Sequence, residues 1–167
     1  MTGPCFVDAN VLVYARQDSE PVKQARARQW LQMLWNERRG RISTQVISET
    51  YAALRRQTRH TGDTVWEELE KYFRWNPLPM SEDVLRRAHE VEQRYRLSWW
   101  DSLIVAAAQI LECRTLLTED LQDGQTFGHL RVRNPFLHAV EQPEATYAIS
   151  PVRELHRPRG RPRRAAA

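Results

Sequence analysis

No stretch of the 167-residue sequence approaches the roughly 18 uninterrupted apolar residues that a transmembrane helix requires. Met1 to Pro4 carry no positive charge, and Asp8 and Asn10 interrupt the first apolar run, so the opening residues do not resemble a signal peptide. A cytoplasmic location without membrane contact is the expectation. Cysteine is scarce. Cys5 lies in an apolar run and Cys113 between the apolar helix ending at Leu111 and the Thr115–Thr118 strand, neither with a second sulfur or histidine nearby, which argues for two buried thiols against a disulfide or zinc site. The five histidines, His60, His89, His129, His138 and His156, form no metal-ligand spacing and read as surface residues. Lysine is as scarce, unusual for a chain this basic, with Lys23 and Lys71 alone, both in helical patterns. No G-x-x-x-x-G-K-[ST] or G-x-G-x-x-G is present, so neither phosphate-binding loop is available.

The net charge of +4 would suggest a basic body, but its distribution says otherwise. Between Arg153 and Arg164 six arginines face one acid, a net of +5, while the rest of the chain holds 19 basic and 20 acidic residues, a net of −1. The same region carries Pro151, Pro158 and Pro162. Residues 1–140 are therefore predicted to form one domain, and 141–167 a flexible Pro/Arg-rich basic tail that contacts phosphates nonspecifically or remains solvated.

What is present is an alternation of short apolar runs and helical stripes. Pro4 to Val7, Arg41 to Ser43, Thr115 to Thr118 and Leu130 to Arg133 read as strands, with a further one at Leu78. Helical periodicity follows Asn10 and runs from Pro21 to a stop at Gly40. It recurs from Gln45 to Arg59, from Asp63 to Arg74, from Ser81 to Arg94 with Val84, Leu85, Ala88, Val91 and Tyr95 on one side, and from Ser98 to Leu111. This order predicts an α/β fold, a three-layer α/β/α sandwich around a mostly parallel sheet.

In such a sheet, ligands lie beyond the carboxyl ends of the strands. Asp8 follows the first strand directly and Asp120 follows the Thr115–Thr118 strand, while Glu49 and Asp101 lie early in helices that start at the same edge. At about 100° per residue, Glu49 falls at the border of its helix's apolar face, beside Ala53. Two carboxylates about 5 Å apart at an effective dielectric of about 20 repel by roughly 3 kcal/mol. Either some stay protonated or a divalent cation holds them ionised. The donors are all hard oxygens, which favours Mg2+ or Mn2+ over zinc and suits phosphoryl chemistry. Each acid also has a plainer role available. Asp8 can cap the following helix, Asp101 stands at capping-box spacing from Ser98, Glu49 can be a surface acid, and Asp120 a turn residue.

Four segments resemble, in order and spacing, the motifs of PIN domains. They are Phe6-Val-Asp-Ala-Asn-Val-Leu-Val-Tyr14, Ile42-Ser-Thr-Gln-Val-Ile-Ser-Glu49, Leu97-Ser-Trp-Trp-Asp-Ser-Leu-Ile104 and Leu116-Leu-Thr-Glu-Asp-Leu-Gln122. Length and wording most resemble the VapC-type toxins of bacterial toxin–antitoxin modules. The resemblance implies that Asp8, Glu49, Asp101 and Asp120 are catalytic and bind the metal, with Asp123 in reserve for Asp120, and that Asn10 and Thr44 orient the site or its water. It implies hydrolysis of RNA by metal-activated water, leaving a 5′-phosphate and a 3′-hydroxyl. A structured RNA substrate (tRNA or rRNA), a cognate antitoxin lying across the cleft, and a homodimer are implied with it. The Asp8-Ala-Asn10 sequence and the two helical lysines do not match dehalogenase-like phosphatases or receiver domains. The rival of a different class is a non-catalytic PIN-like module that binds RNA or protein, whose signature would be a missing acid. Of the six tryptophans, at least half are expected to pack in the core, leaving an exposed one to meet a base or an antitoxin helix.

Overall fold

The computed structural model describes residues 3–57 and 62–137. The elements in order are β1 (Cys5–Val7), α1 (Ala9–Tyr14), α2 (Pro21–Asn36), β2 (Gly40–Arg41), α3 (Thr44–Gln57), α4 (Gly62–Glu70), a 3-10 turn (Lys71–Trp75), α5 (Glu82–Tyr95), α6 (Trp99–Ile110), β3 (Thr115–Leu117), β4 (Thr126–Phe127) and β5 (Leu130–Arg133). The strands lie in the order β2-β1-β3-β5-β4. All neighbours are parallel except β4 and β5, which form an antiparallel hairpin at one edge. The fold is thus α/β with a mostly parallel sheet flanked by helices, as the sequence predicts.

Successive strand residues point to opposite faces, and all three residues of both β1 and β3 are buried. The sheet centre is therefore covered on both sides. α6 shows the same thing from the helix side: Ser102 to Ala108 are buried without a break. A helix apolar all round belongs inside, and Ala106, Ala107 and Ala108 let its neighbours approach closely. α5 packs on α6 by a narrower stripe of Val84, Ala88 and Val91. Leu85, expected on that stripe, is instead 42% exposed, because it lies about 100° round the helix from Val84. Both cysteines are free and buried, which pushes both thiol pKa values up, that of Cys113 to about 12.

Two local expectations differ from the structure, and one strand is additional. Gly40 does not stop α2; the helix ends at Asn36, the chain turns through Arg38 with φ 56°, and Gly40 is a strand residue. Leu78 forms no strand. It makes a single parallel bridge to Ser43, between Pro77 and Pro79, which cannot donate to a ladder. The hairpin strand β4 was not anticipated, since two residues are too few to show alternation; Gly128 at φ 67° makes its turn. The expected basic tail, 141–167, the end of the third helix at Arg59, and His60, His138 and His156 lie outside the described residues, while His89 and His129 are exposed. No described helix is long and apolar enough to cross a membrane.

Candidate active site

β1 and β3 are in register, with Val7 opposite Leu117, and the Asp8 N–H continues the ladder to the Leu117 carbonyl at 3.0 Å. The next residue on each strand, Asp8 and Thr118, therefore meet at the carboxyl edge of the sheet. The Thr118 hydroxyl donates to Asp8 Oδ2 at 2.7 Å, and the Ala9 N–H donates to Asp8 Oδ1 at 2.7 Å. Asp8 is thus the N-cap of α1, as its plainer role required, and is also the buried centre of a polar cluster. Asn10, in the first turn of α1, shares its two Nδ2 hydrogens among Asp8 Oδ2 (3.3 Å), Thr118 Oγ1 (3.0 Å) and Asp120 Oδ2 (3.0 Å). Asp120 is exposed, and its N–H donates to Thr118 Oγ1 at 3.1 Å. Asp8, Asn10, Thr118 and Asp120 are therefore one hydrogen-bonded unit.

Burial pushes the Asp8 pKa up to about 7; the hydrogen bonds from Thr118 and Ala9 oppose the rise, and the negative charges of Asp120 and Glu49 add to it. Glu49 is thus close enough to be felt electrostatically. It is half-buried on α3, with Oε1 accepting from Gln45 Nε2 at 2.8 Å. Asp101 occupies the first turn of α6. Ser98 caps that helix by accepting from the Asp101 N–H at 3.1 Å, and its hydroxyl donates to Asp101 Oδ2 at 2.6 Å. Among the described residues no contact joins Asp101 to the other acids, and no three acids converge into a ready-made metal cage. Thr44 opens α3, but its hydroxyl accepts from the Met80 N–H at 3.2 Å, so it anchors the 78–80 connection. Asp123 accepts from the Asn134 N–H at 2.8 Å, a bond that ties down the β5 exit.

Two residues of this neighbourhood escaped sequence reasoning. Thr118 reads in the sequence only as the end of a strand, and its role follows from its parallel register with Asp8. Lys23 reads in the sequence only as a helical residue. Its ammonium donates to Glu119 Oε2 at 2.7 Å and to the Tyr14 hydroxyl at 3.0 Å, and lies 4.2 Å from the Tyr14 ring centroid. The hydrogen bond to Glu119 is the main cause of its raised pKa, and it fixes the residue next to Asp120.

The donor set suits a hard divalent cation. Magnesium is commonly held by one or two carboxylates and keeps several waters, a demand that Asp8 and Asp120 meet without a closed cage. Asn10 Oδ1 is a buried acceptor with no hydrogen-bond donor among the described residues, which suits a polar ligand at this point. Replacing Ser98 by alanine should remove both the cap of α6 and the restraint on Asp101. The expected cost is about 1 kcal/mol, a melting temperature lower by about 2–4 °C, measured by thermal denaturation. An unchanged melting temperature would mean that this cap contributes nothing.

No curated protein matches the sequence. Among solved structures, the fold is similar to a chain of a toxin–antitoxin complex from Klebsiella pneumoniae. The TM-score is 0.53 at 19% identity, over 78% of this chain and 97% of that one. The PIN domain family model matches residues 5–122, which takes in β1, all six helices, β3 and Asp120. A match over more than two thirds of the sequence, on the elements that carry the acids, places the chain in the PIN domain family.

Proposed function

We propose that this PIN domain is an endoribonuclease that hydrolyses phosphodiester bonds of a structured RNA, tRNA or rRNA. In this reading, Mg2+ or Mn2+ is held by Asp8, Glu49, Asp101 and Asp120, and the protein is the homodimeric toxin of a VapBC-type pair that a cognate antitoxin silences. The observation that carries it is the buried Asp8 carboxylate, raised in pKa and flanked by Asp120 and Glu49. A fold gains nothing from gathering like charges at a sheet edge unless a positive ligand or a proton joins them. A bound cation would supply Lewis acidity to the phosphate and lower the pKa of an attacking water.

The chain's own residues do the rest. Thr118 and the Ala9 N–H hold both oxygens of Asp8 in one orientation, so the carboxylate needs little reorganisation to meet a ligand. Asn10 ties Asp120 to Asp8 and fixes their separation. Lys23 holds Glu119, so the backbone carrying Asp120 is anchored from α2. Asp101, in the first turn of α6, is the acid whose place in this set rests on the PIN motif and not on a contact with Asp8 or Asp120. The antitoxin assignment draws support from the fold neighbour, itself a toxin–antitoxin complex.

The test is cleavage of total RNA by antitoxin-free protein, with magnesium, with manganese and with chelator. Discrete fragments that need the metal are the expected result. Intact RNA that stays bound under every metal would replace the nuclease by a non-catalytic RNA-binding module.

A further inference from the structure

A groove of about 820 Å³ lies between α3, the 78–80 connection and the first turn of α6, and of the candidate site acids it includes Glu49. Glu49, Thr44, Met80, Trp100 and Arg56 are among its lining residues. We infer that this groove receives an unpaired nucleotide of the RNA beside the bond to be cut, with its base stacked on Trp100 and its phosphate met by Arg56. The inference rests on the nuclease reading and names the part of the substrate that the site recognises.

Trp100 is the observation that points to a ligand. It is 63% exposed, and among the described residues no other ring packs against it. The other exposed tryptophan, Trp66, is satisfied by Tyr51 and Phe73 at centroid distances of 6.1 and 6.0 Å. Trp30 is buried and donates to the Pro135 carbonyl at 3.3 Å. Trp100 therefore presents an indole that the fold does not use, one residue before Asp101 on the same helical turn. Arg56 is likewise exposed and makes no ion pair among the described residues, near the end of the helix that carries Glu49.

The chemistry selects among occupants. An aromatic face, a cation in the same groove and the Glu49 carboxylate match the base, the phosphate and the metal-activated bond of one strand. A base still paired in an A-form helix keeps its faces stacked inside and cannot offer one to Trp100. Gln45, Ser48 and Glu49 stand beside Trp100 and Met80, so the groove offers hydrogen-bonding groups to a base edge as well as a face to stack on.

The experiment uses the full chain in chelator, so that no probe is cut. Binding of a labelled unpaired RNA octamer and of a labelled 12-base-pair RNA duplex is followed by anisotropy. Trp100→Ala should weaken the octamer by about 5- to 100-fold and leave the duplex unchanged, while Trp100→Phe keeps most of the affinity. Arg56→Gln should lower the salt slope for the octamer by about 0.7, the value for one single-strand phosphate contact. Equal octamer affinity in wild type and Trp100→Ala overturns the proposal, as does an equal loss on the duplex. A change of mass in sedimentation on Trp100→Ala would show a second copy covering the face, and also overturns it. The nuclease reading fails separately. Metal-dependent cleavage with unaltered octamer binding sinks only the groove, and selective octamer loss without cleavage under any metal sinks only the nuclease.

Discussion

Asp8→Asn should lower metal-dependent cleavage by about 10²- to 10³-fold or more and, in the same preparation, raise the stability of the metal-free protein above neutral pH. The two effects share one cause. Asp8 is buried, and its pKa rises from the ordinary 3.8 to about 7. The native state therefore binds a proton between those limits that the unfolded state does not hold. The stability contributed by protonated Asp8 is complete below about pH 4 and is lost as pH rises through 7, a swing of about 4 kcal/mol at most. Asparagine is neutral throughout, so the variant lacks this slope. Asparagine also caps helices well, and Asn10 can turn its amide to offer the unpartnered Oδ1 to the new donor. That turn removes the bond from Asn10 to Asp120, which limits the net gain to about 1–3 kcal/mol, about 2–10 °C in melting temperature. Thermal denaturation in chelator from pH 5 to 8.5 reads this directly: a wild-type curve falling with pH beside a flat variant is the expected pair. Magnesium should raise the wild-type curve more than the variant's, because a cation stabilises the ionised carboxylate that the variant lacks. A variant with full activity would remove Asp8 from the site, and a wild-type curve flat in pH would mean that its carboxylate is not desolvated.

The acids of β1 and β3 were legible because a strand end is a position in space as well as in sequence. Once two parallel strands are recognised, the residues after them must share an edge, and Asp8 and Asp120 do, through Asn10. Helix-borne acids are harder to place. The turn that carries Asp101 follows from its Ser98 cap, yet the rotamer that turns its carboxylate to Ser98 depends on local bonding that periodicity does not report. Thr44 shows the same limit, since its hydroxyl goes to a backbone N–H 36 residues away. Lys23 was hidden for a different reason: its partners Glu119 and Phe136 lie about a hundred residues on, brought near only by the sheet. The fold class needed only the alternation of elements, whereas β4 and the single bridge at Leu78 are decided by tertiary pairing that overrides weak local patterns.

Gly40 carries the second large effect, and it reaches the site through the strand. A Cβ built on Gly40 would lie 2.4 Å from Cη2 and Cζ2 of Trp75, well inside any tolerable contact. The indole cannot yield. It is buried, with its centroid 5.7 Å from that of Trp35 and 5.3 Å from that of Tyr72. Gly40→Ala must therefore displace β2 from its pairing with Cys5 of β1 or force Trp75 off its rotamer. Overpacking of this kind costs about 1–3 kcal/mol, a melting temperature lower by about 2–10 °C. Because β2 leads through Ile42 and Ser43 into the helix that carries Glu49, cleavage should fall as well, by up to about 10²-fold for a displacement near 1 Å. The contact is isolated by a cycle with Trp75→Leu, which makes room at the price of a cavity. The double variant should be less destabilised than the sum of the two single ones by at least about 1 kcal/mol, and should recover part of the lost cleavage at a temperature where every variant is folded. Strict additivity would mean that the glycine serves backbone freedom in β2 and that Trp75 does not set the position of the strand.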